Sequence, residues 1–304
     1  MDDRLDAHLE LAELRDDEFV RRAYRLVLRR DPEPAAFDRA VSRATLLAEL
    51  VASEEFQQLR ALDEAIARAT AADAPALFLE APPGLDERAV EIPWALSRLH
   101  GAGRVLDVGS ANAQPAYLAA LATAGIAELV GVDVAAAEVP RMRTVVADAR
   151  DLPFPDSSFD LVLCVSTLEH VGRDNRVYGA GEERADGEAA ALAELRRVTA
   201  PGGRIVVTVP CGEDEDHGWF VQRRPDAWNG LFVDAGLRVE EEEIYALGPE
   251  GWRAAPDFDP RGVRYGDRGA SAVLCATLAP AGAARRLARR ARAAGRRRGG
   301  ALGG

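Results

Sequence analysis

Between Arg104 and Pro210 the sequence repeats one pattern: a short, nearly continuous apolar run, in the first three cases with an acid at or near its end, followed by a stretch with helical or turn character. The runs are RVLDVG, ELVGVD, RTVVAD and FDLVLCV, and a fifth, RIVVTVP, follows a helical segment and the turn Pro201-Gly202-Gly203. Runs this short and this apolar fit strands buried on both faces, the usual state of a parallel sheet covered by helices. Strands are expected over 104–108, 128–133, 143–147, 160–165, 204–209, 237–245 and 271–278, with helices over 87–100, 113–124, 187–199 and 225–235. The predicted fold class is α/β: a seven-stranded, mostly parallel sheet with helices on both faces, preceded by a small all-α domain. Nine residues separate Asp133 from Arg143, fewer than the dozen or so of an ordinary parallel crossover. The helix normally placed there must shrink to a turn or be lost.

Acids stand at three successive strand ends, where an open parallel sheet binds its ligands. Asp107 and Gly109 close the first strand, Asp133 the second and Asp148 the third. A carboxylate at Asp133, next to Val134, can accept hydrogen bonds from both hydroxyls of a ribose. One at Asp148 can accept from an adenine amino group, and Ala149 leaves room for the ring. Gly109, lacking a side chain, lets a ligand approach the backbone. A GxGxxG loop would point to a nicotinamide cofactor, and none follows the first strand.

The series RVLDVGSANAQPAYLAALA, LVGVDV, VVADARDLPFPDSSFDLVLCVSTLEHVG and ELRRVTAPGGRIVVTVP resembles class I S-adenosylmethionine-dependent methyltransferases, of Rossmann-like fold, throughout 104–210. More narrowly it is similar to bacterial members that carry S-T-x-E-H-V-G after the fourth strand and then V-P-x-G, H-G-W and G-W. Here these are Ser166–Gly172, Val209-Pro210-Cys211-Gly212, His217-Gly218-Trp219 and Gly251-Trp252. Such proteins often sit among glycan-assembly enzymes. The resemblance implies S-adenosylmethionine as cofactor, with Asp107 facing its cationic methionyl end. It implies a binding set of Asp107, Gly109, Ser110, Ala111, Asp133, Val134, Asp148, Ala149 and Ser166, and no metal. One departure stands out. The family loop D-x-G-x-G-x-G reads Asp107-Val108-Gly109-Ser110-Ala111-Asn112-Ala113. A left-handed conformation would cost either alanine roughly 1–2 kcal/mol, so the loop takes another path or the site has lost its activity.

The reaction so implied is methyl transfer to a small molecule or glycan-linked metabolite, with a hydroxyl as the expected acceptor. A general base contributes about 10²–10⁴-fold to such a step. His217 and His170 are the catalytic candidates, since both follow strands that end on the acid-bearing rim, and Glu169 is a third. The alternative is a catalytically inactive, S-adenosylmethionine-binding interaction protein recruited through its helical module. The acidic run Glu213–Asp216 is either a solvated loop or a divalent-metal site, and Glu240–Glu243 reads as an exposed edge. Trp219, Trp228, Trp252 and Tyr178 are either core or an acceptor wall. The Asn-Pro-Pro-Tyr type motif of amino-methylating nucleic-acid enzymes is absent after the fourth strand.

The flanks differ from this core. Residues 1–70 read as a small helical module, 71–86 as an Ala/Pro-rich linker, 87–280 as the α/β domain and 281–304 as a basic tail. Phe19–Leu59 is similar to a bacterial helical module related to phycobilisome linker repeats, with Ala35–Ala36 where that module has glycine. All basic side chains other than histidine are arginine, and eight of them lie after Pro280 with no acid among them. The net charge is −12, and −20 once those eight are set aside. That excludes nucleic acid as a natural partner of the main domain. The tail is expected to be solvated, with contact to an anionic membrane surface as the alternative. Three scattered cysteines, an acidic amino terminus and the lack of a 20-residue apolar run lead to a cytoplasmic expectation.

Overall fold

In the computed structural model of the chain, the described residues are 16–28, 31–39, 41–71, 84–176, 186–266 and 269–281. Most of the linker, Tyr178 and the tail beyond Ala281 lie outside them. The chain divides into two compact units, Met1–Ala65 and Ile66–Gly304.

The first unit is helical. Helix α1 (Asp16–Leu28) opens on Asp16, Asp17 and Glu18, acids that suit the positive end of a helix dipole. Phe19, Ala23, Tyr24 and Leu28 recur on one face, and they close a core with Ala36, Leu46 and Leu50. Ser42 caps α2 (Arg43–Ala52) by accepting the Thr45 N–H at 3.1 Å. Ser53 ends α2 and accepts from the Phe56 N–H at 3.2 Å, which starts α3 (Glu54–Ala71). Neither Ala35 nor Ala36 takes a positive φ, so the glycine of the related module is not required here.

In the second unit, α4 (Arg88–Leu96) precedes the alternating core. That core is β1 (Arg104–Val108), α5 (Pro115–Thr123), β2 (Glu128–Asp133), β3 (Arg143–Val146), β4 (Phe159–Val165), α6 (Gly187–Val198) and β5 (Thr199–Pro210). A two-residue hairpin follows, β6 (Glu215–Asp216) with β7 (Val221–Gln222), then α7 (Pro225–Asp234), β8 (Leu237–Gly248), β9 (Gly251–Ala254) and β10 (Ala272–Pro280). The sheet order is β3-β2-β1-β4-β5-β10-β8-β9. Strands β1 to β5 are parallel, and β10 runs antiparallel between β5 and β8. The fold is thus the expected α/β type, with a mostly parallel Rossmann-like sheet.

The sheet has eight strands rather than seven. The extra strand, β9, is only GWRA and joins by a tight hairpin at Gly248↔Gly251, too short to announce itself by alternation. Between β2 and β3 the crossover helix is absent, yet the strands pair in parallel from Val130↔Arg143 to Asp133↔Val146. The acidic run on β8 is not a bare edge. Glu241 pairs with Arg98 at 2.7 Å, and Glu243 accepts from the Trp94 indole and the Tyr245 hydroxyl, each at 2.7 Å. Arg98 in turn lies 3.7 Å over the Trp94 ring. These contacts fix α4 on the sheet next to the strand ends that carry the acids.

Candidate functional site

Because β1, β2, β3 and β4 run the same way, their acids share one rim. They line a single cleft of about 1180 Å³, its open mouth included. Asp107, Gly109, Asp133, Val134, Asp148, Ala149, Ser166 and His170 all line it.

Asp107 is buried. One carboxyl oxygen accepts from the Tyr117 hydroxyl at 2.6 Å, while Oδ2 has no hydrogen-bond partner. Burial pushes its pKa up to about 7, against the pull of Tyr117. An unsatisfied carboxyl oxygen at the wall of a cleft is a place for a cation, and the ammonium of S-adenosylmethionine fits that requirement. Asp133 accepts from the Ala111 N–H at 2.9 Å and the Ala135 N–H at 3.0 Å, one on each oxygen. Each oxygen keeps a second lone pair for a ribose hydroxyl. Asp148 is more occupied than sequence suggests. It caps the Arg150 N–H at 2.8 Å, and both its oxygens receive the Arg150 guanidinium, at 2.6 Å in the shortest contact. An adenine amino group would share it with Arg150.

The glycine-poor loop takes another path. Among the described residues of this loop only Gly109 has a positive φ, +93°, so the two alanines carry no backbone strain. Gly109 also has a structural reason that the sequence did not suggest. A Cβ there would meet Thr167 Oγ1 at 2.2 Å, so the missing side chain makes room for Thr167 at the wall of the cleft that Gly109 itself lines. Ser110 and Ala111 do not line the cleft. Ser110 is buried behind β2, near the space a Cβ on Gly131 would take, and Ala111 contributes its N–H to Asp133. Their place is taken by Asn112, Ala113 and Gln114.

Ser166 follows β4 in a left-handed conformation (φ 48°), a strained position for a side-chain-bearing residue. Its N–H is held by the Thr208 carbonyl and hydroxyl, and its own hydroxyl donates to Glu91 at 3.1 Å. His170 lies four residues further, in a single 3₁₀ turn (Leu168–His170). Its Nδ1 sits 3.0 Å from the Trp219 carbonyl, which requires a proton on Nδ1 and makes Nε2 the basic nitrogen. Burial lowers its pKa, so the ring is neutral near pH 7.

His217 does not reach the cleft. The β6–β7 hairpin folds its ring onto Phe220, parallel at 4.4 Å, with Nε2 3.8 Å from Glu215. The acidic run beside it is occupied in the same way. Glu213 and Glu215 pair with Arg264 and accept the N–H groups of Gly262 and Tyr265, and Asp216 pairs with Arg173. Among the described residues no group of three or more His, Cys, Asp or Glu is placed to hold a metal. Trp228 and Trp252 are fully buried and bond the carbonyls of Pro210 and Leu85, so both are core. His217→Ala is expected to leave affinity for S-adenosylhomocysteine within about twofold of the parent by calorimetry, as for substitutions remote from a site.

Sequence reasoning missed Tyr117, Arg150 and Thr167, which hold the predicted acids and glycine, and Glu91, which holds Ser166. Tyr117 falls in the first turn of α5, two residues after Pro115, so an aromatic facing Asp107 was open to inference. Nothing in the local pattern marks Glu91.

A nucleoside-sized cleft with three acids along the carboxyl rim of a 3-2-1-4-5 parallel sheet defines a Rossmann-like nucleoside-binding domain. Residues 106–207 match the family model of a methyltransferase domain. The match spans about a third of the chain and coincides with the acid-bearing strands β1 to β5. Among curated relatives, it is 30% identical over 172 residues to a 27-O-demethylrifamycin SV methyltransferase of Amycolatopsis mediterranei (strain S699), covering 48% of this chain and 57% of that protein. It is 28% identical over 161 residues to a ubiquinone/menaquinone biosynthesis C-methyltransferase of Geobacter sp. (strain M21), covering 47% of this chain and 63% of that protein. The chain therefore spans less than two thirds of the length of each. Among solved structures, a Burkholderia thailandensis 1,6-didemethyltoxoflavin-N1-methyltransferase is 15% identical, with a TM-score of 0.44 over 83% of this chain and 92% of that one.

Proposed function

We propose that this protein transfers a methyl group from S-adenosylmethionine to a small-molecule acceptor. The observation that carries the reading is the buried Asp107 carboxyl, with one oxygen unsatisfied, in one cleft with Asp133 and Asp148. When bound, S-adenosylmethionine supplies a methyl group already activated by its sulfonium charge. The protein then has to align and exclude water. Asp107 holds the ammonium, Asp133 the ribose and Asp148, shared with Arg150, the adenine edge. Neutral His170 takes the acceptor's proton on Nε2.

The sequence-based expectation for the acceptor was a hydroxyl of a small molecule or glycan-linked metabolite. The two curated relatives support only the broader class, one being named for a demethylated rifamycin and the other for C-methylation in quinone biosynthesis. The first unit, with its Phe19/Tyr24/Leu28 face and the turn at 31–36, supports the proposal of a phycobilisome-linker-like module. The boundaries proposed for the parts remain 1–70, 71–86, 87–280 and 281–304.

Calorimetry with S-adenosylhomocysteine tests the cofactor half, and release of S-adenosylhomocysteine with candidate acceptors tests the transfer. His170→Ala should retain S-adenosylhomocysteine binding and lower turnover by about 10²-fold or more. Undiminished turnover removes His170 as the base.

The pH dependence follows from Asp107. Its pKa in the ligand-free fold is about 7, above the ordinary value, because the charged form is poorly solvated. A bound ammonium favours the charged form, so the ligand binds the carboxylate and releases a proton. Affinity should rise by up to about tenfold per pH unit between pH 5 and 7 and then level off. Asp107→Asn should flatten that profile. A profile that keeps its slope in the variant assigns the titration to another group.

A further inference from the structure

A second, smaller chamber of about 360 Å³, its open mouth included, opens beside the cleft. The two share Arg88, Ser166 and His170, and none of Asp133, Asp148 or Ala149 reaches the second. The chamber therefore leaves the cleft away from the acids assigned to the nucleoside. Its chemistry is unlike that of the cleft. Three carboxyl groups, Glu87, Glu91 and Glu169, face one cation, Arg88, and the walls are the rings of Trp219, Phe220 and Tyr265.

Two of those acids are incompletely satisfied. Glu91 is wholly buried, with Oε2 bonded to the Ser166 hydroxyl, the Thr208 hydroxyl beside the same carboxyl, and Oε1 without a hydrogen-bond partner. Glu169 is 3% exposed, and its Oε2 has no partner either. Glu87 is the satisfied member: it accepts from the Ala270 N–H at 3.1 Å and lies 3.4 Å from the Arg88 guanidinium. Arg88 thus stands nearest the acid that already has a donor. A hydrogen-bond donor carrying positive charge would satisfy both open oxygens at once. The rings are placed to help it, with Trp219–Phe220 and Phe220–Tyr265 centroids 4.7 and 4.5 Å apart forming one aromatic wall. Ring faces attract cations, most strongly when water is excluded.

We propose that this chamber is the acceptor subsite and that it recognises an organic amine, whose N–H groups bond Glu91 and Glu169 while its carbon frame lies on the Trp219–Phe220–Tyr265 wall. The proposal rests on the methyltransferase reading, since it names the acceptor class of that same site, and it replaces the hydroxyl expected from sequence. The amine enters protonated, as the ammonium that the acids attract. Proton loss from nitrogen, to a carboxylate of the pair or to His170, would expose the lone pair for attack. Then a nitrogen–carbon bond forms, the sulfur–carbon bond breaks and its electron pair stays on sulfur. The charged and titratable groups facing the amine are Glu87 just before α4, Arg88 and Glu91 from α4, Glu169 and His170 from the turn after β4, and Tyr265 from the loop before β10. Burial raises both open acids, Glu91 to about 8 and Glu169 well above its ordinary value, with repulsion from neighbouring carboxylates adding to each, which favours their protonated forms in the empty chamber.

The test uses the full chain and three probes of one shape: benzylamine, benzyl alcohol and benzoate, titrated by calorimetry at pH 7.5 without cofactor. Benzylamine is expected to bind at least tenfold more tightly than either of the others. Because the acids hold protons when empty, its binding should release protons, read as a heat that differs between phosphate and Tris buffers. Glu91→Gln and Glu169→Gln, which keep shape and hydrogen bonding, should each cut benzylamine affinity tenfold or more while leaving benzyl alcohol unchanged. Equal binding of amine and alcohol by the parent protein overturns the proposal without recourse to any variant. So do preference for benzoate, failure of all three probes to bind, and unchanged amine affinity in both variants. S-adenosylhomocysteine titrated in parallel separates the two readings. If it binds and the amine does not, the amine subsite alone fails; if it does not bind, the methyltransferase reading fails.

Discussion

Gly109→Ala is expected to lower the melting temperature by about 6–12 °C. Two terms act together. The φ of +93° costs an alanine roughly 1–2 kcal/mol. The new Cβ would meet Thr167 Oγ1 at 2.2 Å and Cγ2 at 2.9 Å, and forcing such a contact in a packed site costs about 1–3 kcal/mol. A total near 3 kcal/mol in a domain of this size corresponds to that shift, at about 2–4 °C per kcal/mol. The rescue is specific. Thr167→Ala removes both of those atoms and leaves only the Thr167 Cβ position, at 3.1 Å. The double variant should therefore recover part of the loss, the backbone term persisting. A single variant that melts within a degree or two of the parent would mean that the turn after β1 is not built on this contact.

Asp133→Ala should weaken S-adenosylhomocysteine binding by about 100-fold or more, since hydrogen bonds to a charged group are worth about 1.5–3 kcal/mol each. The side chain has a second role, because it accepts the N–H groups of Ala111 and Ala135 and so shapes both loops of the cleft. Asp133→Asn separates the roles. It keeps one acceptor oxygen and should lose about tenfold in affinity, with a smaller fall in melting temperature than the alanine variant. Calorimetry together with thermal unfolding reads both quantities. Unaltered binding in Asp133→Ala would remove the ribose role and, with it, the register in which the nucleoside is placed along the rim.

Much of this site was open to a reader of the sequence alone. The strands β1 and β2 begin and end at the residues expected, because burial on both faces leaves little but Val, Leu and Gly between one charged end and the other. The three rim acids fell at the ends of those runs for the same reason: only there does a carboxylate meet a ligand rather than the core. The loss of the β2–β3 helix followed from chain length alone. The errors share a different origin. His217 and His170 looked equivalent by distance from their strands, but the first is consumed by a ring stack with Phe220 inside a two-residue hairpin that has no sequence signature. Ser110 was given a ligand-facing role because it follows the strand, whereas it is buried against Gly131 of β2. Glu240–Glu243 looked like an edge because four acids in a row mask the alternation by which Glu241 and Glu243 turn to α4.

Local pattern thus determined the class of fold, the direction of its strands and the rim along which the three acids stand, since each of these is written in runs of a few adjacent residues. Tertiary structure alone decided which polar groups share a buried space. Glu91 and Ser166 are 75 residues apart and meet only because α4 docks across the ends of β4 and β5. The energy of a buried carboxyl depends on every neighbour within a few ångströms, and those neighbours come from segments whose proximity no local periodicity encodes.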